Sequence, residues 1–371
     1  MLTKFEVKNY AGFEKTITFD LTSKRKIDYN KNFVEKGIIK KALIYGPNGS
    51  GKSSLCMAIM DITYHLVDKE KMNIPNYKYF YCGCDQEIAE FTYWFKFDGK
   101  TVKYSYTKYA PTLLGFESLY INNDLVYEFN YMHQAHFVNK IEGAQNLNFN
   151  GITPQISGIK YIFKNTILPE KSVVSRLIKY VEGMLLFRSL TEGNNYVGFS
   201  NGSESLSSIV IRNNKVDDFK EFLMKQGLNY DLVKYTDQNN TENLGIRFAN
   251  GKILPFNSII SSGTKTMWLF YCWMLEFNNV TLLIMDEFDA YYHYGTAQSI
   301  LELTNSQNNM QTIITTHNIA LMNNKVTRPD CCFIIDGNKI DSLFNLSKTE
   351  IRKKSNLQKL YMEGKFTNVL E

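Results

Sequence analysis

The chain has 371 residues, of which 44% are hydrophobic and 14% aromatic, so it can build a large packed core and is not disordered. Its 42 Lys and Arg against 37 Asp and Glu leave a formal net charge of +5, too small an excess to indicate nucleic-acid binding by itself. The first residues lack the pattern of a signal peptide. The longest apolar run, 267–275, is far shorter than the ~20 residues of a membrane-spanning helix. We therefore expect a cytoplasmic protein without a membrane partner.

The N-terminal third reads mainly as strands. Alternating apolar and polar residues predict two strands within 1–20 and an antiparallel hairpin over 91–106, with its turn at Asp98-Gly99. Between them, 42–45 is continuously apolar, as expected of a strand buried on both faces of a sheet.

The middle of the chain is predicted to be a helical lid or insertion. Apolar residues recur at helical spacing over 172–190 and 217–226. A loop rich in Gly, Asn and Ser is expected between them, at 193–208.

Beyond residue 250, strand and helix patterns alternate. Buried strands are predicted at 281–285, 312–316 and 332–335, with one helix ending at Leu275 and another over 297–303. Strands separated by helices favour a mostly parallel sheet flanked by helices. The sequence thus predicts an α/β fold in three parts: an N-terminal lobe with an antiparallel β arm (1–110), the helical insertion (111–250) and a C-terminal lobe (251–371).

Residues 46–53, Gly-Pro-Asn-Gly-Ser-Gly-Lys-Ser, match the phosphate-binding P-loop pattern in full, between a predicted buried strand and a predicted helix. Lys52 is expected to reach the β- and γ-phosphates of a nucleotide, and the Ser53 hydroxyl to bind Mg²⁺. A glycine-rich turn without a ligand is the structural alternative. The residues predicted to bind the nucleotide here are Gly46, Asn48, Gly49, Ser50, Gly51, Lys52, Ser53 and Ser54.

Residues 282–287 form an apolar run that ends in two carboxylates. Such a run places Asp286 at the carboxyl end of a buried strand, beside the P-loop, where it can hold Mg²⁺ together with Ser53. Glu287, the next residue, can act as the general base that activates water. A buried strand that ends in a charged turn would give the same letters, but the position downstream of a P-loop favours the catalytic interpretation.

Two further motifs accompany these. Ser262 and Gly263 precede a long apolar helix, whose N-terminus is a potential anion site, although an ordinary N-cap serine is the alternative. His317 follows a predicted buried strand, where a structural histidine would fit as well as a catalytic one. The order P-loop, Ser-Gly, Asp-Glu and His favours a functional role for all four.

With 285–293 and 315–318, these motifs resemble the OLD/RecF-related ABC-type ATPases of bacterial anti-phage defence, such as the abortive-infection L-type and PARIS-like systems. The tail, at 328–330 and 360–366, is similar to that of abortive-infection L-type ATPase subunits. The resemblance implies an ABC-type ATPase head that forms a homodimer or higher homo-oligomer around ATP. Ser262 and Gly263 would close the site of the opposite subunit, and His317 would sense the γ-phosphate.

The resemblance also implies a role for ATP hydrolysis in controlling a toxic effector. The stretch after His317 is too short for a nuclease domain, so we expect a separately encoded effector, such as a TOPRIM-like nuclease, and a phage protein or DNA as the trigger.

Two alternatives remain open. A RecF-like DNA-binding ATPase of DNA repair would need a basic face, for which Lys171, Arg176, Lys179 and Arg188 are the candidates. A nucleotide-binding subunit of a transporter would be expected to keep a clear glutamine loop, for which Gln86 is a candidate.

Overall fold

The computed structural model describes residues 1–67, 79–84, 87–133, 137–188, 196–197, 205–348 and 350–366. The strands of these residues are, in chain order, β1 (Leu2–Lys8), β2 (Ile17–Asp20), β3 (Val34–Glu35), β4 (Ile38–Ile39), β5 (Lys41–Tyr45), β6 (Ala89–Phe97), β7 (Lys100–Ala110), β8 (Leu113–Ile121), β9 (Asp124–Asn130), β10 (Phe137–Asn139), β11 (Met184–Arg188), β12 (Tyr196–Val197), β13 (Leu232–Thr236), β14 (Glu242–Arg247), β15 (Ile253–Pro255), β16 (Leu282–Asp286), β17 (Gln311–Thr316), β18 (Cys332–Asp336) and β19 (Lys339–Ser342). The α-helices are α1 (Lys52–Met60), α2 (Thr63–Leu66), α3 (Gly158–Asn165), α4 (Val173–Glu182), α5 (Leu206–Arg212), α6 (Val216–Lys225), α7 (Phe256–Ile259), α8 (Ser262–Met274), α9 (Tyr294–Ser306), α10 (Leu343–Leu346) and α11 (Leu357–Met362).

A seven-stranded sheet in the order β12-β11-β16-β17-β5-β18-β19 carries the predicted motifs at its strand ends. The strands from β11 to β18 run parallel, and β12 and β19 pair antiparallel at the two edges. β5 and β16 are buried along their whole length, which explains their continuous apolar sequences. Because parallel strands end at the same edge, the loops after β5, β16 and β17 meet there. The predicted α/β P-loop ATPase fold with a mostly parallel sheet is confirmed.

A second seven-stranded sheet, in the order β10-β9-β8-β7-β6-β1-β2, is antiparallel throughout. The predicted Asp-Gly turn joins β6 to β7, with Asp98 at φ 47° and Gly99 at φ 83°. Two successive residues in the left-handed region are the conformation for which Asp-Gly hairpin turns are selected. The hairpin is therefore confirmed, but it belongs to a broad sheet that begins with the two predicted N-terminal strands.

The parallel sheet lies between two hydrophobic clusters, as alternate residues of β16 indicate. Leu282 and Ile284 pack in the cluster that contains the apolar side chains of α1 and of the antiparallel sheet. Leu283 and Met285 pack in the opposite cluster, with α8 and α9. The strand that carries Asp286 is thus fixed from both faces.

The segment 111–250 differs from its predicted helical content. β8, β9 and β10 continue the antiparallel sheet, and β11 is a strand of the parallel sheet. Helices α3 to α6 form only part of the segment, and the prediction of a helix over 217–226 is confirmed by α6. Most of the predicted loop at 193–208 lies outside the described residues. The division into 1–110, 111–250 and 251–371 stays a prediction.

The predicted helix over 172–190 is wrong in its second half. α4 ends at Glu182, and Met184–Arg188 forms the buried strand β11. Leu185 and Leu186 fit a helical stripe and a buried strand equally well, so periodicity alone could not separate the two. Gly183 marks the boundary, because a Cβ there would lie 2.6 Å from the Thr281 side chain.

The strands predicted after residue 280 agree with β16, β17 and β18 to within one residue. The apolar run that begins at Met267 lies on α8, whose side chains from Met267 to Trp273 are buried inside the protein. Within the described part of the chain, none of the helices has the length and apolar character that a bilayer crossing requires.

A buried charge pair joins the end of α1 to the antiparallel sheet. Asp61 accepts hydrogen bonds from Lys108 Nζ at 2.6 Å and from the Tyr106 and Tyr79 hydroxyls at 2.8 Å each. The Lys108 and Asp61 side chains are 1% and 0% exposed. Because an unpaired charge cannot be solvated there, each partner depends on the other.

Lys108→Met should therefore destabilise the protein strongly, because it leaves the Asp61 carboxylate buried without its counter-charge. We expect a loss of about 3–5 kcal/mol in the free energy of unfolding, measured by urea denaturation. Lys225→Met is the matched control, since Lys225 pairs with Glu221 on an exposed helix surface, and its unfolding midpoint should stay near that of the wild type. Equal midpoints for the two variants would contradict this account of the cluster.

Candidate functional site

Residues 46–53 form a tight loop between β5 and α1. A Cβ at Gly46 would lie 2.5 Å from the carbonyl oxygen of Ile335, so no larger residue fits. Gly51 has φ 101°, and a Cβ there would lie 2.7 Å from the Phe13 ring. The two glycines allow the chain to curl closely before the helix, which is the shape that a phosphate-binding loop needs.

Several donors of this loop are available to an anion. Lys52 Nζ donates to the carbonyl oxygens of Gly46 and Pro47, each at 2.9 Å. Burial lowers the pKa of Lys52, while the nearby carboxylates of Glu287 and Asp286 raise it. The buried Ser50 hydroxyl has no hydrogen-bond partner among the residues that the structure describes. The N-cap of α1 is a glycine, so no side chain caps the first N–H groups of the helix. These donors fit a phosphate group.

Asp286 ends β16 and is 4% exposed. The Thr315 hydroxyl donates to its Oδ1 atom at 2.8 Å, and the Ser53 hydroxyl hydrogen-bonds to the same carboxylate. Burial raises the pKa of Asp286, and the two hydroxyls act in the opposite direction. The predicted partners Ser53 and Asp286 therefore meet at the start of α1.

This pair also fits a magnesium ion. No group of three or more His, Cys, Asp or Glu side chains in the described residues could hold a metal by itself. Mg²⁺ commonly binds through one or two protein oxygens and takes its other ligands from phosphates and water. Asp286 and Ser53 would hold such an ion, which would neutralise charge on the phosphates.

Glu287 and His317 lie together beside Asp286. Glu287 has φ 49°, an uncommon conformation for a residue other than glycine, and its N–H donates to Thr315 Oγ1 at 2.8 Å. His317 Nε2 lies 3.2 Å from Glu287 Oε1. Both side chains reach solvent, with 19% and 37% exposed. The arrangement gives the carboxylate access to water and a fixed neighbour.

Ser262 and Gly263 lie at the N-terminus of α8, but the N-cap is Ser261, whose Oγ accepts from the N–H of Thr264 at 3.2 Å. Ser262 is exposed. A Cβ at Gly263 would lie 2.8 Å from the carbonyl oxygen of Tyr291. In the described residues, no hydrogen bond joins either residue to the P-loop of the same chain. Their role in a second subunit's site stays a prediction.

Two contributors to the site were not predicted. Thr315 was noted only as a neighbour of His317, although its hydroxyl touches both predicted carboxylate residues. Arg188 was assigned to a DNA-binding cluster, but its Nε atom lies 3.7 Å from Asp286 Oδ2. No motif spacing indicates either residue, because the contacts depend on strand order.

The four residues of the proposed basic cluster are not equally exposed. Arg176 Nη2 pairs with Asp98 Oδ2 at 2.5 Å, and Arg188 lies beside Asp286. Only Lys171 and Lys179 are exposed. Gln86, the candidate for a glutamine loop, lies outside the described residues.

Thr315→Val keeps the shape of the side chain but leaves Asp286 Oδ1 and the Glu287 N–H without their common partner. We expect the affinity for Mg²⁺ in the presence of nucleotide to fall by about 10- to 100-fold, the usual effect of losing a group that orients a metal ligand. The Mg²⁺ dependence of nucleotide binding measures this. Thr312→Val, at the other end of β17, is the control and should leave that dependence unchanged. A wild-type dependence in Thr315→Val would contradict the assigned role.

Comparison with sequence families finds one match. Residues 160–323 are similar to the family described as "AAA domain, putative AbiEii toxin, Type IV TA system". The match contains Ser262, Asp286 and His317, lies downstream of the P-loop, and spans less than half of the chain. No curated protein matches the sequence.

Among solved structures, the chain is similar to an SMC head bound to the C-winged helix domain of ScpA, with 14% identity over 92% of this chain and 96% of that chain and a TM-score of 0.47. It is also similar to the SMC head domain from Thermotoga maritima, with 15% identity, 94% and 99% coverage, and a TM-score of 0.42. A third similar structure is an Smc head domain with an extended coiled coil, bound to the C-terminal domain of ScpA derived from Pyrococcus furiosus. Its identity is 13% over 93% of this chain and 97% of that chain, with a TM-score of 0.43. The strand order and the P-loop show that this chain has a P-loop ATPase fold. Its residues 160–323 are similar to an AAA-domain family.

Proposed function

We propose that this protein is an ABC-type ATPase that binds Mg–ATP at the P-loop and hydrolyses it. The observation that carries the proposal is the Thr315 hydroxyl, which holds Asp286 and Glu287 side by side at the start of the P-loop helix. A metal-binding carboxylate and a solvent-accessible carboxylate in this order are the parts that phosphoryl transfer to water requires.

Each residue has a distinct task in this proposal. Lys52 supplies positive charge to the β- and γ-phosphates, and the loop N–H groups fix them in place. Ser53 and Asp286 hold the metal ion. Glu287 accepts the proton of the attacking water, and its backbone conformation, fixed by Thr315, aims the carboxylate. His317 Nε2, 3.2 Å from Glu287 Oε1, orients that carboxylate, and in this proposal the histidine also senses the terminal phosphate.

The same proposal includes a homodimer or higher homo-oligomer. Ser262 is exposed at the start of α8, a 13-residue helix whose N-terminus carries partial positive charge. A second copy that placed its Ser262 and Gly263 over the γ-phosphate would add donors that a single chain does not bring to the site. ATP would then act as part of the contact between subunits.

We further propose that the ATPase controls a separate toxic effector in anti-phage defence. The motif resemblance supports this role, and the matched family is described as a putative toxin of a toxin–antitoxin system. The effector would be a separately encoded nuclease of the TOPRIM-like kind, and the trigger a phage protein or DNA. For the RecF-like alternative, Arg176 pairs with Asp98 and Arg188 lies beside Asp286, which leaves Lys171 and Lys179 as the exposed cations of the proposed cluster.

Glu287→Gln should keep ATP binding and stop turnover, because the amide cannot take the proton from water. We expect kcat to fall by about 10²- to 10⁴-fold, measured as phosphate release under saturating Mg–ATP. Glu302→Gln, on the outside of α9, should turn over at the wild-type rate. Hydrolysis at the wild-type rate by Glu287→Gln would remove Glu287 from the role of base.

Lys52→Ala should lose nucleotide affinity, because a buried ammonium next to the phosphates disappears. We expect an increase in the Kd for ATP of about 10- to 100-fold, measured by isothermal titration calorimetry. Lys359→Ala, on the exposed surface of α11, is the control. Tight binding of ATP by Lys52→Ala would contradict the P-loop assignment.

The molecular mass of Glu287→Gln in solution, with and without Mg–ATP, tests the assembly. We expect a dimer or larger assembly only with ATP, and Ser262→Arg in the same background should stay monomeric because the long side chain blocks the contact. Adding the product of the adjacent gene tests the effector role. A chain that stays monomeric with ATP would contradict the proposed dimer. An assembly that does not bind the product of the adjacent gene would count against the proposed effector role.

A further inference from the structure

Among the described residues, the Arg188 guanidinium has a buried donor without a hydrogen-bond partner. Arg188 ends β11 and lies in register with Asp286 on the adjacent parallel strand β16. In the part of the chain that the structure describes, its buried Nε atom has no hydrogen-bond partner, and the carboxylate oxygen Asp286 Oδ2 is 3.7 Å away. Charge-assisted hydrogen bonds of this kind are normally 2.7–2.9 Å long. Arg188 is close enough to Asp286 to feel its charge, yet it does not form a closed salt bridge.

The position of Arg188 places its charge at the proposed nucleotide site. The helix that follows the P-loop, α1, packs against both β11 and β16. The positive charge of Arg188 lowers the pKa of Asp286 and also that of Cys56 on α1, each against the stronger effect of burial. The charge of Arg188 therefore acts on the Asp286 carboxylate and on Cys56 of the P-loop helix.

A purely structural role does not explain this geometry. Thr315 and Ser53 already hydrogen-bond to Asp286, so the carboxylate keeps its orientation without a bond from Arg188. A guanidinium has five N–H donors, and burying one of them unpaired costs free energy unless a ligand satisfies it. The side chain is 24% exposed, so its remaining donors are accessible from the site.

We propose that Arg188 is a phosphate-binding residue that contacts the terminal phosphate of ATP. This inference rests on the proposed function and extends it to the choice of nucleotide. The P-loop follows β5, and the strand order β5, β17, β16, β11 places Arg188 on the far side of Asp286 from that loop. A metal ion held by Ser53 and Asp286 would bring the terminal phosphate next to Asp286, and a cation beyond Asp286 would then be within reach of that phosphate. Arg188 thereby makes the site prefer ATP to ADP.

The test is the affinity of wild type, Arg188→Ala and Arg188→Lys for ATP and for ADP, measured by calorimetry with Mg²⁺ and again with EDTA. We expect Arg188→Ala to weaken ATP binding by about 10- to 100-fold and to leave ADP binding unchanged. Arg188→Lys should retain part of the preference, because it keeps the charge and loses the planar fork. If Arg188→Ala does not fold, Arg188→Lys still tests the inference. Arg176→Ala, which removes a surface pair with Asp98, is the matched control and should bind both nucleotides normally.

Two of the following outcomes overturn the inference, and two others test the proposed function separately from it. Unchanged ATP affinity, or an equal loss for ATP and ADP, would mean that Arg188 does not contact the terminal phosphate. A loss seen only with Mg²⁺ would mean that Arg188 acts through Asp286 instead of touching the phosphate. If the wild type bound neither nucleotide, the proposed function itself would fail. If the wild type bound both and Lys52→Ala neither, the proposed site would stand whatever Arg188 does.

Discussion

The Thr315 hydroxyl is the contact on which the geometry of the site depends. It donates to Asp286 Oδ1 and accepts from the Glu287 N–H, both at 2.8 Å, so one oxygen fixes the Asp286 carboxylate and the backbone of the next residue. Glu287 has φ 49°, a conformation that costs energy and persists only where its surroundings enforce it. Because Thr315 lies on β17, the strand between β16 and β5, it joins the acidic residues to the strand that leads into the P-loop.

The rest of the fold holds this contact in place. β16 is packed from both faces, with the antiparallel sheet and α1 on one side and α8 and α9 on the other. Asp61 and Lys108 attach the end of α1 to the antiparallel sheet through a fully buried pair. A movement of the P-loop helix would therefore displace residues of the antiparallel sheet.

The sequence predicted best what short motifs and buried strands determine. The P-loop, the Asp286-Glu287 pair, His317 and the strands that carry them lie where the motifs and apolar runs indicate. Of the antiparallel sheet, the sequence predicted the two N-terminal strands and the hairpin of β6 and β7. It did not predict that β1 pairs with β6, which is a long-range contact, or that β8 and β9 extend the sheet through two further short turns. β11 was taken for the end of a helix, since Leu185 and Leu186 fit both periods. The contacts of Thr315 and Arg188 with Asp286 depend on strand order, which no local pattern contains.

The central claim is that the P-loop and Asp286 form one nucleotide-dependent metal site. Electron paramagnetic resonance of Mn²⁺, used in place of Mg²⁺, tests it directly in wild type, Asp286→Asn and Asp289→Asn. Asp289 is the matched control, because its two carboxylate oxygens each accept from the Thr316 hydroxyl at 2.8 Å. We predict ATP-dependent Mn²⁺ binding that is lost in Asp286→Asn and kept in Asp289→Asn. Mn²⁺ binding that needs no ATP, or that survives in Asp286→Asn, would contradict the account.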